Sequence, residues 1–284
     1  MIRLLFWVVL CCFSFVQGQT LEKTLLWKIS GNGIENPSYL YGTIHITCDN
    51  QLPTKVVKAL NETQQLYLEL DLDSPTLQQE MMMGMTMRNG ITMSSLSSEE
   101  DFKIVDAFLK KNIGFSATML NAIKPFMVSA MLYPKMIDCQ VKSIENALME
   151  ISKNKNQSVF GLETVKEQME VFETIAYDIQ MEELIKTAKS ELVNDRKEMQ
   201  QVMAIYASED VDKMVEFSKK SDNKISSQFD SVLLENRNVN WIPKIIEIAQ
   251  QKSTFFGVGA AHLGGEMGVI RLLRKSGFTV EPVF

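Results

Sequence analysis

The chain of 284 residues contains two histidines, and each of them ends a Gly-x-x-His segment. The first segment is GTIH, which ends at His45, and the second is GAAH, which ends at His262. Each follows a run of apolar residues that predicts a β-strand. Side chains just past the carboxyl end of a strand point into the crevice where α/β folds bind ligands. The pattern predicts that both histidines share one active site; the alternative is two half-buried histidines with ordinary hydrogen bonds.

Carboxylates at predicted strand ends are further candidates. Residues 66–72 (LYLELDL) alternate in polarity, which predicts a strand with Glu69 and Asp71 on one face near its carboxyl end. Glu163 follows a short strand predicted at 158–161 and precedes a predicted helix. An acid at a strand end is costly to bury as a core residue. The alternatives are a helix N-terminal charge for Glu163 and a turn or cap for Asp71.

Imidazole and carboxylate groups together are the ligand types of many divalent metal sites. We predict that His45, His262 and Glu163 bind one Mn, Co or Zn ion, which would lower the pKa of a bound water. Either Glu163 or Glu69 would act as the base. Arg237, in the segment LENRN, is predicted on a helix, where it would hold a substrate carboxylate or stabilise an oxyanion. The alternative for Arg237 is an ordinary surface ion pair.

The elements that position these residues are strands at both ends of the chain and near its middle, with helices between them. Strands are predicted at 25–30, 39–46, 66–72, 158–161, 253–258 and 278–284. We therefore predict an α/β (α+β) fold, in which N- and C-terminal segments form a central mixed sheet under a large helical layer. Residues 19–284 would form a single domain. Its helical part at about 74–155 would cover the site and shape substrate access.

The N-terminus is typical of a secretory signal peptide. Arg3 precedes an uncharged apolar run at 4–16, and Gly18 offers a small residue for cleavage. The run is shorter than the roughly 20 residues that a membrane span needs. We predict a signal peptide at 1–18 and a periplasmic or extracellular product without a stable membrane span. The alternative is a membrane anchor.

Two cysteines, Cys48 and Cys139, remain after removal of such a peptide. An isolated pair in an oxidising compartment predicts a disulfide, and buried free thiols are the alternative. The net charge of −6 argues against a nucleic-acid partner, because phosphate contacts need clustered Lys and Arg. The methionine-dense segment 81–87 (MMMGMTM) indicates flexible apolar packing or an adaptable peptide groove.

The chain resembles the TraB/GumN family, also called TraB/PrgY/GumN, over about residues 25–284. The similar segments are LWKISGNG, SYLYGTIHI, LYLELDL, VFGLETVKEQ, LLENRNVNW and FFGVGAAHLGGEMGVIRLLRKSGFTVEPV. The Tiki metalloproteases belong to the same wider group. The resemblance implies an α/β core with a helical insertion and, from the Tiki branch, divalent-metal-dependent peptide cleavage. The residues of this chain at the positions of the family's motif residues are His45, His262, Glu163, Arg237 and Glu69.

The leading hypothesis is therefore an exported metal-dependent hydrolase, acting on peptides or on protein N-termini. Two other functions stay open. One is a non-enzymatic protein that binds and sequesters a peptide or signal, which needs the pocket but no metal. The other is an esterase that uses histidine as a base without metal, as in more distant relatives of this fold.

Overall fold

The computed structural model describes residues 20–284, so the predicted signal peptide lies outside the described residues. Its centre is a six-stranded sheet with the strand order β4-β3-β5-β2-β1-β6. The strands are β1 Leu26–Gly31, β2 Ile34–Thr43, β3 Gln65–Leu68, β4 Val159–Gly161, β5 Thr254–Gly259 and β6 Thr279–Pro282. Strands β4, β3, β5 and β2 run parallel to one another, whereas β1 is antiparallel to both β2 and β6. The predicted mixed sheet is confirmed.

Helices surround this sheet and form the layer that the sequence predicts. They are α1 Thr54–Glu62, α2 Leu77–Gly84, α3 Glu99–Ile113, α4 Pro125–Ala130, α5 Ile144–Asn154, α6 Val165–Glu173, α7 Tyr177–Lys189, α8 Val193–Ala207, α9 Val211–Lys219, α10 Lys224–Gln228, α11 Asn236–Gln251 and α12 Val269–Lys275. Within residues 20–284, every helix is too short or too polar to cross a membrane. The α/β fold class is confirmed.

The central strands are apolar on both faces, as expected for parallel strands covered by helices. In β5, Phe255, Phe256 and Val258 are fully buried, and the register places Leu40 of β2 opposite Phe256. This burial holds β2, β3 and β5 in one parallel register. The carboxyl ends of β2, β3, β4 and β5 consequently meet at one edge of the sheet.

The helical layer has its own apolar core, separate from that of the sheet. Phe108 and Leu109 of α3 pack with Val128 of α4 and Leu184 of α7. The methionine-dense segment is divided: Met87 is buried in this core, while other methionines pack on α6 or are exposed. The segment therefore contributes both buried packing and exposed, conformationally adaptable methionine side chains.

The third strand is shorter than the alternation of residues 66–72 predicts. Pairing ends at Leu68, opposite Gly161 of β4, and β5 pairs only as far as Tyr67. Beyond this point the backbone turns, with Leu72 N–H donating to the carbonyl of Leu70 at 2.9 Å. The prediction of a strand to residue 72 was wrong, because the backbone turns away after Leu68 although β5 continues to Gly259.

Asp212 of α9 ties three distant parts of the fold together. Its carboxylate accepts from the Leu21 N–H at 3.1 Å, from the Gly265 N–H at 2.9 Å and from both Nη atoms of Arg271 at 2.7 and 2.9 Å. Burial raises the pKa of Asp212, but Arg271 and the backbone donors outweigh burial and lower it to about 2. The charged form is therefore favoured in the folded chain.

We expect Asp212→Asn to lower the free energy of unfolding at pH 7 by about 1–2 kcal/mol. Because the folded pKa of about 2 lies below the unfolded value, this stabilisation is complete above about pH 4 and is lost as pH falls towards 2. Urea unfolding of both proteins across this range measures the difference. Glu35→Gln, at an exposed position of β2, is the control and should show no such trend. A loss of stability in Asp212→Asn that does not change with pH would contradict the lowered pKa of Asp212.

Candidate active site

Four polar side chains follow the four parallel strand ends. His45 follows β2, Glu69 follows β3, Glu163 follows β4 and His262 follows β5. Because these strand ends share one edge of the sheet, the fold brings together residues that are far apart in sequence. The fold therefore places His45, Glu69, Glu163 and His262 at the same edge of the sheet.

Arg237, near the start of α11, lies at the centre of this group. Its Nη2 is 2.6 Å from Glu69 Oε2 and 2.5 Å from Glu163 Oε1, and its Nε is 3.2 Å from Glu163 Oε2. Its Nη1 is 3.1 Å from His262 Nε2. The Arg237 side chain is only 12% exposed. It thus belongs to a buried ionic cluster, and the alternative of a surface ion pair is excluded.

The local helix geometry explains how Arg237 reaches the strand ends. A π-helical turn, Ser231–Glu235, precedes α11, and Arg237 Nη1 donates to the carbonyl of Leu233 in that turn at 3.0 Å. Such turns are frequent at functional sites, since they re-aim a side chain. Trp241, one helical turn later, packs its ring 4.9 Å from the guanidinium carbon. Both contacts fix the orientation of the guanidinium.

Glu69 accepts from both sides of the site. Its Oε1 accepts from the Gly259 N–H at 2.8 Å, while its Oε2 accepts from Arg237. A Cβ at Gly259 would lie 3.1 Å from Oε1, so glycine at this position permits the close approach. Burial raises the pKa of Glu69, but His262 (which is protonated only below about pH 3), Arg237, His45 and the Gly259 bond outweigh it and hold the pKa well below its usual range. Glu69 is a carboxylate at any ordinary pH.

Glu163 is held by donors other than Arg237. Its Oε2 accepts from Trp241 Nε1 at 3.3 Å, and its Oε1 accepts from Gln168 Nε2 at 3.0 Å. With the two bonds from Arg237, every lone pair that faces the cluster is engaged. The arrangement makes Glu163 a partner of the guanidinium rather than a free helix-terminal charge.

His262 is buried, with its ring centroid 4.5 Å from that of Trp241. Its Nδ1 is 2.6 Å from Asn238 Oδ1, and its Nε2 faces Arg237 Nη1. Because a guanidinium only donates, Nε2 must accept, so the proton is on Nδ1 and is donated to Asn238. Burial lowers the pKa of His262 to about 3; the charge of Arg237 also lowers it, and that of Glu69 opposes it. His262 is neutral.

His45 has the opposite character. Its side chain is 66% exposed, and its Nδ1 is 2.7 Å from Oε1 of Glu145, which is 6% exposed in the first turn of α5. Desolvation lowers the pKa of His45, but the hydrogen bond and charge of Glu145 and the charge of Glu69 outweigh it and raise the pKa to about 9. Burial raises the pKa of Glu145, but the hydrogen bond and charge of His45 outweigh burial, so the pKa of Glu145 is lowered. The two form an ion pair at neutral pH.

A pocket of about 240 Å³ opens beside His45. Its lining includes three leucines, Leu68, Leu70 and Leu72, and five polar side chains, His45, Glu69, Ser143, Glu145 and Gln168. The pocket can take an aliphatic group next to a polar, reactive one. Met83 and Gly84 line a different cleft, of about 470 Å³, against α6. The methionine segment therefore does not form the wall of the His45 pocket.

Several residues of the site were not singled out from the sequence. Trp241 lies four residues after Arg237, so helical spacing would have placed it on the same face. Asn238 is the next residue after Arg237, and helical spacing alone does not single it out. Glu145 carries no local signal, because it is 100 residues from His45 in the chain. Asp71 stands outside the cluster and accepts from the Asp73 N–H at 3.2 Å, which matches the turn-forming alternative.

The predicted metal ligands can be tested against this geometry. Of the predicted ligands, Glu163 and His262 direct acceptor atoms at the Arg237 guanidinium, as Glu69 also does. The third predicted ligand, His45, is instead paired with Glu145 through Nδ1. Among residues 20–284, no three His, Cys, Asp or Glu side chains are grouped so as to hold a metal ion. In this arrangement the residues do not fit a divalent ion, since a guanidinium already occupies the space between their acceptors.

The fold and the site together define an α/β protein with a buried polar cluster at the carboxyl edge of its sheet. The chain belongs to the TraB/PrgY/gumN family, whose family model matches residues 25–282. That match covers the sheet, the helical layer and every residue of the cluster. Comparisons with curated proteins and with solved structures give no match.

Proposed function

We propose that this protein is an exported hydrolase that cleaves a peptide or ester bond, with His45 as the general base. The observation that carries the proposal is the exposed His45 ring, which has one nitrogen held by buried Glu145 while the ring opens onto a pocket. With Nδ1–H donated to Glu145, Nε2 is left to accept a proton. The Cys48–Cys139 disulfide supports an oxidising compartment.

In the proposed reaction, Nε2 of neutral His45 takes a proton from water as the water oxygen bonds to the substrate carbonyl carbon. The bond to the leaving amine or alcohol then breaks, and the proton passes from His45 to that group. The anionic Glu145 and Glu69 stabilise the imidazolium that forms between these steps. The leucine wall of the pocket accommodates an aliphatic group of the substrate.

The other cluster residues have supporting tasks in this proposal. Arg237 pairs with both Glu69 and Glu163, and its N–H donors are taken by them, by His262 and by the carbonyl of Leu233. We therefore assign the base to His45 rather than to Glu163. Glu69 is the one carboxylate of the Arg237 group that also lines the pocket.

The direct test uses residues 19–284 with a panel of short peptides and p-nitrophenyl esters, after dialysis against a chelator. We expect turnover by the metal-free protein, with no gain from added Mn, Co or Zn. Since the free base of His45 is populated only as pH rises towards about 9, kcat/KM should increase up to that pH. Absence of turnover with binding of the peptides would favour the sequestering protein instead.

A metal-dependent peptidase is the second candidate, and one observation favours it. In both histidines Nδ1 is bonded to a side-chain oxygen, of Glu145 or Asn238, as in histidines that bind metal through Nε2. This candidate requires Arg237 to leave its carboxylates. Stoichiometric metal in the purified protein, with activity that is lost on chelation and restored by Mn, Co or Zn, would establish it.

A further inference from the structure

The loop that carries His45, residues 44–50, is attached to the segment that leads into α5, residues 139–145. Thr47 and Lys142 exchange two backbone hydrogen bonds, of 3.0 and 2.9 Å. Further contacts are Ile144 N–H to the Ile44 carbonyl at 3.3 Å, Asn50 Nδ2 to the Ser143 carbonyl at 3.5 Å, the Cys48–Cys139 disulfide, and the His45–Glu145 pair at 2.7 Å. All of them join the same two stretches of chain.

Packing alone does not hold this loop. Every residue of 44–50 is exposed or only partly buried, and the stretch contains no helix or strand beyond the isolated bridge at Thr47. Glu145, by contrast, is buried and fixed in the first turn of α5. The position of His45 relative to Glu145 therefore depends on the links between the two segments.

The disulfide is the covalent member of these links. Cys48 lies three residues after His45, and Cys139 lies six residues before Glu145. The disulfide and the His45–Glu145 ion pair are thus two links, a few residues apart, between the same two segments. Together they leave His45 little freedom to move away from Glu145. Without the disulfide, only the hydrogen bonds of the Thr47–Lys142 bridge, of Ile144 with Ile44 and of Asn50 with Ser143 remain, besides the ion pair itself. Hydrogen bonds on an exposed loop compete with water.

We propose that the Cys48–Cys139 disulfide positions His45 against Glu145, so that the hydrolytic site is assembled only in the oxidised protein. This inference rests on the proposed function for its effect on turnover. The geometric part, the pairing of His45 with Glu145, can be measured without any substrate.

The first experiment compares wild type with Cys48→Ala/Cys139→Ala. The chain has two histidines, so ¹H–¹⁵N NMR resolves both imidazoles, and His262 is the one that stays neutral to about pH 3. We expect His45 to remain protonated to about pH 9 in wild type and to titrate at a clearly lower pH in the variant. We also expect kcat to fall about 10–100-fold with a smaller change in KM, as for a misplaced catalytic group.

Asp212→Asn is the control for lost stability, because it weakens the fold away from the site. This variant should have the same kcat and the same His45 pKa as wild type. Reduction of folded wild type with dithiothreitol covers the case in which the double variant does not fold: the disulfide becomes two thiols as the reagent is oxidised. The rate of turnover and the pKa of His45 should both fall, and both should recover when the disulfide is re-formed with oxidised glutathione.

The inference is overturned if the folded double variant, or reduced wild type, keeps the wild-type His45 titration and kcat. If wild type hydrolyses nothing but His45 still titrates lower once the disulfide is removed, the proposed function fails and the positioning role stands. A fall in kcat that Asp212→Asn reproduces would assign the effect to stability and also overturn the inference.

Discussion

His45→Gln is expected to lower kcat/KM by about 10²–10⁴-fold, the usual contribution of a general base. The glutamine amide can still donate to Glu145, so the buried carboxylate keeps a partner, but no group remains that can take a proton. Because the side chain at this position is 66% exposed, the fold should tolerate the change. Initial rates on the best substrate, with circular dichroism and urea unfolding, measure both effects.

His262→Gln separates the two candidate mechanisms. If His45 is the base, the His262 variant should lose stability, through its contacts with Asn238 and Trp241, more than it loses turnover per folded molecule. If both histidines bind one metal ion, the two variants should be equally inactive and equally poor at binding Mn, Co or Zn. Full activity of His45→Gln would refute the base assignment.

Arg237→Met is expected to lower the free energy of unfolding by about 3–5 kcal/mol, as for removal of one partner from a buried charge pair. The methionine leaves Glu69 and Glu163 as two uncompensated carboxylates, each at most 10% exposed. Their mutual repulsion and poor solvation in the folded state should destabilise it. Urea unfolding at pH 7 gives the difference.

A matched surface control is Arg88→Met. Arg88 pairs with Glu170 at 2.6 Å, the same distance as Arg237 with Glu69, but its side chain is 58% exposed. The expected loss there is much smaller than for Arg237→Met, because water screens and replaces the contact. Adding Glu69→Gln and Glu163→Gln to Arg237→Met should restore a large part of the stability. Equal losses for Arg88→Met and Arg237→Met would contradict the buried ionic cluster.

Much of the site follows from local sequence. Apolar runs ending in Gly-x-x-His predict strands with a histidine at their carboxyl ends, and parallel strands share one edge. Local sequence thus places His45, His262, Glu69 and Glu163 at or near predicted strand ends. That β2 to β5 are parallel, so that these ends share one edge, is a property of the fold. The pairing of Cys48 with Cys139 was likewise predictable, because only two cysteines remain after the first 18 residues, and it is confirmed.

The chemistry of each histidine was decided only by the tertiary structure. Two segments of the same pattern carry imidazoles whose pKa values are raised to about 9 in His45 and lowered to about 3 in His262. The difference comes from Glu145, 100 residues away from His45, and from the burial of His262 against Arg237 and Trp241. Local sequence determines where a strand ends and which group follows it. Burial and neighbouring charge, which set whether that group holds a proton, depend on segments that only the folded chain brings together.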